Sequence, residues 1–235
     1  MRWTADPVTA KGVTQREFRV GEASGTLWTP EKGPGGDGAP LVLLGHGGGA
    51  SRSVPVVVGT ARRFVRHNGL AVAAIDAPLH GDRGTETFKT VPELMARMGS
   101  RETIQQAVSE WRATLDALLE VDGIIDRVGY WGLSMGTHLG VPVVAAEERI
   151  QTAVLGLFGA IGGGRQRAAA AGVTCPVMFL VQLDDEVVDP GGAIELFQLL
   201  GSKDKRLHAH PGLHSAVPLE EIEENGAFLK RHLTA

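Results

Sequence analysis

The sequence predicts a doubly wound, mostly parallel α/β sheet, in a single domain covering residues 1–235. Two observations carry that expectation. Short, strongly apolar runs bounded by Gly, Pro or Asp recur at residues 41–44, 70–75, 128–131, 153–157 and 177–181, as strands buried on both faces of a parallel sheet require. Segments with helical periodicity separate them, and repeated strand then helix builds such a sheet. The length of 235 residues suits one α/β domain with a sizeable core.

In chain order, residues 14–20 and 25–29 read as two opening strands. Residues 31–40 form a Gly/Pro-rich surface turn that no packed element would use. Residues 61–67 read as a helix stopped by Asn68-Gly69. Ile104, Ala107, Val108, Trp111, Leu115, Leu118 and Leu119 share one face of an amphipathic helix of about four turns. Residues 191–200 and 218–233 supply further helices, the last entered through Pro218, with an interior Gly226 that argues against its continuity. Residues 205–209 read as a strand between them.

Composition excludes several function classes. The chain is 43% hydrophobic and 21% charged, with a net charge of −4, so it has no electrostatic footprint for nucleic acid or an anionic membrane. The opening Met1-Arg2-Trp3-Thr4-Ala5-Asp6-Pro7 lacks the apolar run of a secretory signal, and no stretch approaches the length of a membrane span. A cytoplasmic location is the expectation. Cys175 is the only cysteine, and its place before Pro176 at the head of an apolar run reads as a small buried hydrophobe.

The chemistry centres on Gly132-Leu133-Ser134-Met135-Gly136, which follows the strand at 128–131 directly and precedes helix-compatible residues. This is the strand, sharp turn and helix context of a nucleophile elbow. Small flanking residues let strand and helix approach, and the turn presents Ser134 at a helix N-terminus, where developing negative charge is favoured. Upstream, Gly45-His46-Gly47-Gly48-Gly49 follows the strand at 41–44. Backbone N–H groups aimed at one point stabilise a tetrahedral oxyanion. Gly48 is the first candidate donor and Gly47 the second, with the Met135 N–H completing the hole. The Lys and Ser/Thr of a phosphate-binding loop are missing.

A nucleophilic serine needs a base, and the base an orienting acid. The strand at 177–181 runs into Gln182-Leu183-Asp184-Asp185-Glu186-Val187-Val188, and that at 205–209 into His210-Pro211-Gly212-Leu213-His214. The order Ser, Asp, His results. His214 is the candidate base because it lies beyond its strand, whereas His208 and His210 lie nearer the strand body and read as structural. A metal site built from His208, His210 and His214 is the competing reading, without a second ligand cluster to support it.

On these motifs the chain resembles the α/β-hydrolase superfamily, in its dienelactone-hydrolase-like and small bacterial serine esterase branch. The resemblance covers nearly all of the chain from Leu41 onward. It implies the α/β-hydrolase fold and cleavage of small or medium carboxylic esters, possible lactones and thioesters included, through a Ser134, Asp185 and His214 catalytic triad and an acyl-enzyme, with Gly48 and Met135 as the oxyanion hole. It implies a small-molecule ester as partner and requires no cofactor and no metal. In such families a hydrophobic residue stands three positions after the acid, which Asp185 with Val188 and Asp184 with Val187 match equally. The Asp-Glu-Val-Val sequence of relatives favours Asp185. Asp76-Ala77-Pro78-Leu79-His80-Gly81-Asp82-Arg83 resembles a further esterase run and reads as structural support; Arg83 reads as a solvated loop arginine, with an acidic substrate group as its alternative partner. Dienelactone hydrolases proper carry cysteine at the nucleophile position, so their substrate is not implied. The interval between residues 157 and 177 is too short for a large cap domain, which leaves selectivity to residues 165–171 and 81–101. An acyltransferase or perhydrolase would use the same residues, and a catalytically silent binding protein would show a broken triad.

Overall fold

The computed structural model describes residues 1–31, 38–84, 91–160 and 164–234. Its strands are β1 (Arg2–Trp3), β2 (Val8–Ala10), β3 (Val13–Val20), β4 (Ala23–Pro30), β5 (Ala39–Gly45), β6 (Ala71–Ile75), β7 (Ile124–Gly132), β8 (Ile150–Gly156), β9 (Val177–Gln182) and β10 (Lys205–His210). Its helices are α1 (Pro55–Arg63), α2 (Val91–Met98), α3 (Arg101–Leu119), α4 (Met135–Ala146), α5 (Gly164–Gly172), α6 (Pro190–Leu199) and α7 (Leu219–Leu233). Among the described residues the strands join one sheet in the order β1-β3-β4-β6-β5-β7-β8-β9-β10, with β2 on β3. Pairings from β1 to β6 are antiparallel, and those from β6 through β10 are parallel.

Both faces of the inner parallel strands are covered, which is why β5, β6 and β9 are apolar without alternation, whereas the edge strand β10 is half exposed. Leu41 and Leu43 of β5 face a core with Trp111 and Leu115 of α3, Val141 of α4 and Leu196 of α6. Val42 and Leu44 face the opposite core, with Val57 of α1 and Phe228 and Leu229 of α7. Each such buried side chain contributes about 1.5–3 kcal/mol relative to exposure. The chain leaves β5 to pair β6 on one side and β7 on the other. Crevices form at the carboxyl ends of strands at such a switch in strand order. The loop after β5 and the turn after β7 meet there.

Several elements depart from the expectation. The helix expected from Ala61 begins at Pro55, where proline at the first turn presets φ; the β-branched run of Val56, Val57 and Val58 had masked it. It ends in a π-helical turn, Phe64–Asn68, closed by Gly69 in the left-handed region at φ 69°. Strands β1 and β2 and helix α2 have no counterpart in the expectation. The Gly/Pro-rich stretch at 31–40 lies largely outside the described residues, as do 85–90 of the 81–101 segment. The short interval before β9 holds α5, and no large cap is present among the described residues. No helix among them is long and apolar enough to cross a membrane.

Helix α7 runs through Gly226 without a break. A Cβ there would stand 2.3 Å from Asn68 Oδ1 and 2.9 Å from the Phe64 ring, so the glycine marks close approach between α7 and the π-helical turn. Acidic Glu220 and Glu221 in its first turn and basic Lys230, Arg231 and His232 in its last also complement the helix dipole. In Gly226→Ala the gain in helix propensity, about 1 kcal/mol, opposes an overpacking cost of about 1–3 kcal/mol. Denaturant unfolding is expected to show a net loss of stability; an increase would mean that Asn68 swings away freely.

Candidate active site

The turn after β7 is built around Tyr130, the only tyrosine of the chain. Its buried hydroxyl donates to Gly136 O at 2.7 Å. A Cβ on Gly132 would stand 2.7 Å from Gly136 O, and one on Gly136 would stand 2.5 Å from Gly45 O. Strand β7, helix α4 and strand β5 therefore touch backbone to backbone. Ser134 sits in the crossing at φ 57° and ψ −121°, a conformation that costs on the order of 1–3 kcal/mol for a residue with a side chain. It is held by its N–H donating to Gly156 O at 3.0 Å and by its carbonyl accepting the N–H groups of Thr137 and His138 at 2.8 and 3.0 Å.

Thr137 was not singled out by sequence reasoning. Its hydroxyl is fully buried, lies 2.7 Å from Gly132 O and 2.6 Å from Gly156 O, and accepts the Gly156 N–H at 2.7 Å. It ties both sides of the elbow to β8. A threonine directly after the second glycine was the available signal, but a hydroxyl in a first helical turn is common in any helix.

The loop after β5 comes to the same place. A Cβ on Gly48 would stand 3.9 Å from Met135 Cβ, whereas one on Gly47 would meet nothing within 4 Å. His46 holds the loop from below. Its Nε2 accepts the Ala77 N–H at 3.0 Å and its Nδ1 donates to Gly47 O at 2.8 Å, so the ring bridges the two loops as a neutral imidazole. Burial pushes its pKa down from 6.5 to about 4. Asp76, fully buried, accepts the Arg52 N–H at 2.9 Å and the Asp82 N–H at 3.1 Å, and pairs with the Arg52 guanidinium. The Asp76 to Arg83 run is thus support for the loop. Arg83 departs from the expectation of a solvated loop arginine: it pairs with Glu110, and its side chain is only 13% exposed.

Ser134, His214 and Asp185 form one hydrogen-bonded line. His214 Nε2 lies 2.9 Å from Ser134 Oγ, and Nδ1 lies 2.7 Å from Asp185 Oδ2. With the ring hydrogen on Nδ1 donated to the carboxylate, Nε2 is free to accept the serine proton. Asp185 Oδ1 accepts the N–H groups of Val187 and Val188, both at 2.8 Å, and the carboxylate side chain is 3% exposed. Asp184 turns elsewhere, its Oδ2 accepting the Gly212 N–H at 3.0 Å.

The remaining histidines do not converge on this line. His208 Nδ1 and His210 Nε2 lie 3.0 and 2.8 Å from Glu221 Oε2, under α7. Asn225 donates to Glu221 Oε1 at 2.7 Å and accepts the Trp131 indole N–H at 2.9 Å. No group of three or more His, Cys, Asp or Glu side chains among the described residues could hold a metal ion. His138 packs on Phe158 and donates from Nε2 to Met98 O at 3.2 Å, which docks the end of α2 on the first turn of α4. Burial pushes the Cys175 thiol up to about 11, so it stays protonated and unreactive.

No protein-family model matches the sequence, and no curated protein matches it. Among solved structures, the chain is similar to a cold-adapted esterase from an Arctic intertidal metagenomic library, solved with PEG bound, at 36% identity and a TM-score of 0.87, covering 99% of this chain and 100% of that one. An acetyl xylan esterase from Paenibacillus sp. R4 shares the fold at 16% identity and a TM-score of 0.73, over 98% of this chain and 89% of that one. Est1E from Butyrivibrio proteoclasticus, solved with ferulic acid, does so at 14% identity and a TM-score of 0.71, over 98% and 100%. With a full-length relative above 30% identity, the chain belongs to the α/β-hydrolase superfamily, in its branch of small esterases.

Proposed function

We propose that this carboxylic ester hydrolase works through Ser134 as nucleophile, His214 as general base and Asp185 as the acid that orients it. The observation that carries the reading is the continuous line from Asp185 Oδ2 through His214 to Ser134 Oγ, with bonds of 2.7 and 2.9 Å. As Ser134 Oγ bonds to the ester carbonyl carbon, its proton passes to His214 Nε2, and Asp185 stabilises the imidazolium. The N–H groups of Gly48 and Met135 receive the oxyanion; the close approach of those two residues supports that pairing. Collapse expels the alcohol, which takes the proton from His214. Water then gives a proton to His214 and attacks the acyl carbon, and the proton returns to Ser134 as the acid leaves.

Small or medium acyl esters suit a chain in which only α5 separates β8 from β9 among the described residues. Lactones and thioesters present the same electrophilic carbon and belong to the proposed range.

Ser134→Ala is expected to lower kcat on p-nitrophenyl butyrate by about 10³-fold or more and to abolish fluorophosphonate labelling. Labelling of the variant at another residue would disprove the assignment of the nucleophile. Asp185→Asn is expected to lower kcat by up to about 10⁴-fold, measured on the same ester; wild-type turnover would remove Asp185 from the acid role.

The loop held by His46 gives a pH expectation. Between pH 6.5 and about 4 the unfolded chain binds a proton at this residue that the folded chain does not, so stability falls as pH drops through that window. The loss amounts to about 3 kcal/mol when complete, and above pH 6.5 this contribution is flat. Burial lowers His138 and His232 in the same sense. Denaturant unfolding at pH 7.5 and 4.5 is expected to show a smaller drop for His46→Gln than for the wild type; equal drops would place the sensitivity elsewhere.

A further inference from the structure

His214 lies beyond β10, the edge strand, in a loop without regular secondary structure. Neighbouring Leu213 is 54% exposed, so apolar burial at that residue does not hold the loop. Hydrogen bonds from the end of β9 do. Gln182 Nε2 donates to Leu213 O at 3.2 Å, Asp184 Oδ2 accepts the Gly212 N–H at 3.0 Å, and Glu186 Oε2 accepts the His214 N–H at 2.8 Å. Main-chain bonds join the same segments, Leu183 N to His210 O at 2.8 Å and Asp184 N to Gly212 O at 3.2 Å. Alternate side chains 182, 184 and 186 thus grip the main chain of three successive loop residues, while Asp185 between them takes the imidazole.

We infer that Glu186 is a positioning residue for the hydrolytic reaction, its carboxylate fixing the His214 main chain so that the imidazole stays in line between Asp185 and Ser134. The inference rests on the reading of His214 as general base. His214 offers one N–H from its main chain and one from its ring, and two consecutive carboxylates take them, Glu186 the first and Asp185 the second. Two fixed points separated by the Cα and Cβ leave the ring little freedom to swing. Gln182 and Asp184 hold the residues just before His214, Asp185 orients the ring, and Glu186 fixes the main chain of His214 itself. Glu186 acts through His214 and touches no reacting atom.

The test uses the full chain with Glu186→Ala, Glu186→Gln and Glu186→Asp, assayed on p-nitrophenyl butyrate and by the rate of fluorophosphonate labelling. Glu186→Ala is expected to lower kcat by about 10- to 100-fold, as small misplacements of catalytic groups do, with KM nearly unchanged and labelling slowed in parallel. Glu186→Gln is expected to restore most of the rate, because its amide oxygen accepts the same N–H. Glu186→Asp keeps the charge but is one methylene too short, and is expected to be slow; it carries the test if the alanine variant fails to fold. Wild-type kcat in Glu186→Ala, or in Glu186→Asp where that variant stands in, would overturn the inference. So would Glu186→Gln as slow as Glu186→Ala, which would point to charge instead of positioning. His214→Ala separates the two readings: if it keeps full activity, the general-base assignment fails, whereas an inactive His214→Ala with an unaffected Glu186→Ala sinks only the role of Glu186.

Discussion

Close packing around Tyr130 sets the spacing on which the site depends. A Cβ on Gly45 would stand 2.2 Å from its hydroxyl oxygen, and one on Gly132 would stand 2.8 Å from its ring. The loop after β5 and the turn after β7 therefore leave from glycines pressed against a single aromatic ring. Trp111 of α3 meets the ring edge-on at 6.2 Å between centroids, so the outer helix layer backs the contact. Interiors packed this tightly deform little. Gly48 and Met135 are held near each other by the centre of the sheet as well as by their own loops.

Polar groups extend that order outward in two directions. On one side, His46 and Asp76 join the loops after β5 and β6, one neutral and one charged. A buried carboxylate is tolerable there because Arg52 and two main-chain N–H groups meet it. On the other side, His208, His210, Glu221 and Asn225 run from β10 beneath α7 to Trp131 in β7. These groups stand apart from the line of Ser134, His214 and Asp185, yet they register the edge strand against the strand that leads into Ser134.

What could be read from the sequence follows what short-range patterns record. The inner parallel strands were legible because burial on both faces leaves uninterrupted apolar runs, and the order of Ser134, Asp185 and His214 because the first two follow such runs and the third follows the short strand-like segment 205–209. Asp185 and Asp184 could not be separated by spacing, since each has a hydrophobic residue three positions on; in the fold one carboxylate meets an imidazole and the other a main-chain N–H. Arg83 read as a solvated loop arginine because its partner, Glu110, lies on a helix distant in sequence. The first half of α1 was hidden by β-branched residues whose local preference is overridden by packing. Strands β1 and β2 are only two and three residues long, too short to show a period. Thr137 and Tyr130 act through contacts between elements, which no window along the chain contains.

Ser134 and His214 are 80 residues apart, one at the centre of the sheet and the other past its last strand. Among the described residues strand β10 pairs with β9 alone and three of its six residues are exposed, so its opening costs less than unfolding of the buried middle strands. A partial opening confined to this edge would separate the imidazole from the serine while β5 and β7 stayed paired. With His214 as the proposed general base, turnover would follow the integrity of this edge while the buried middle of the sheet stayed intact.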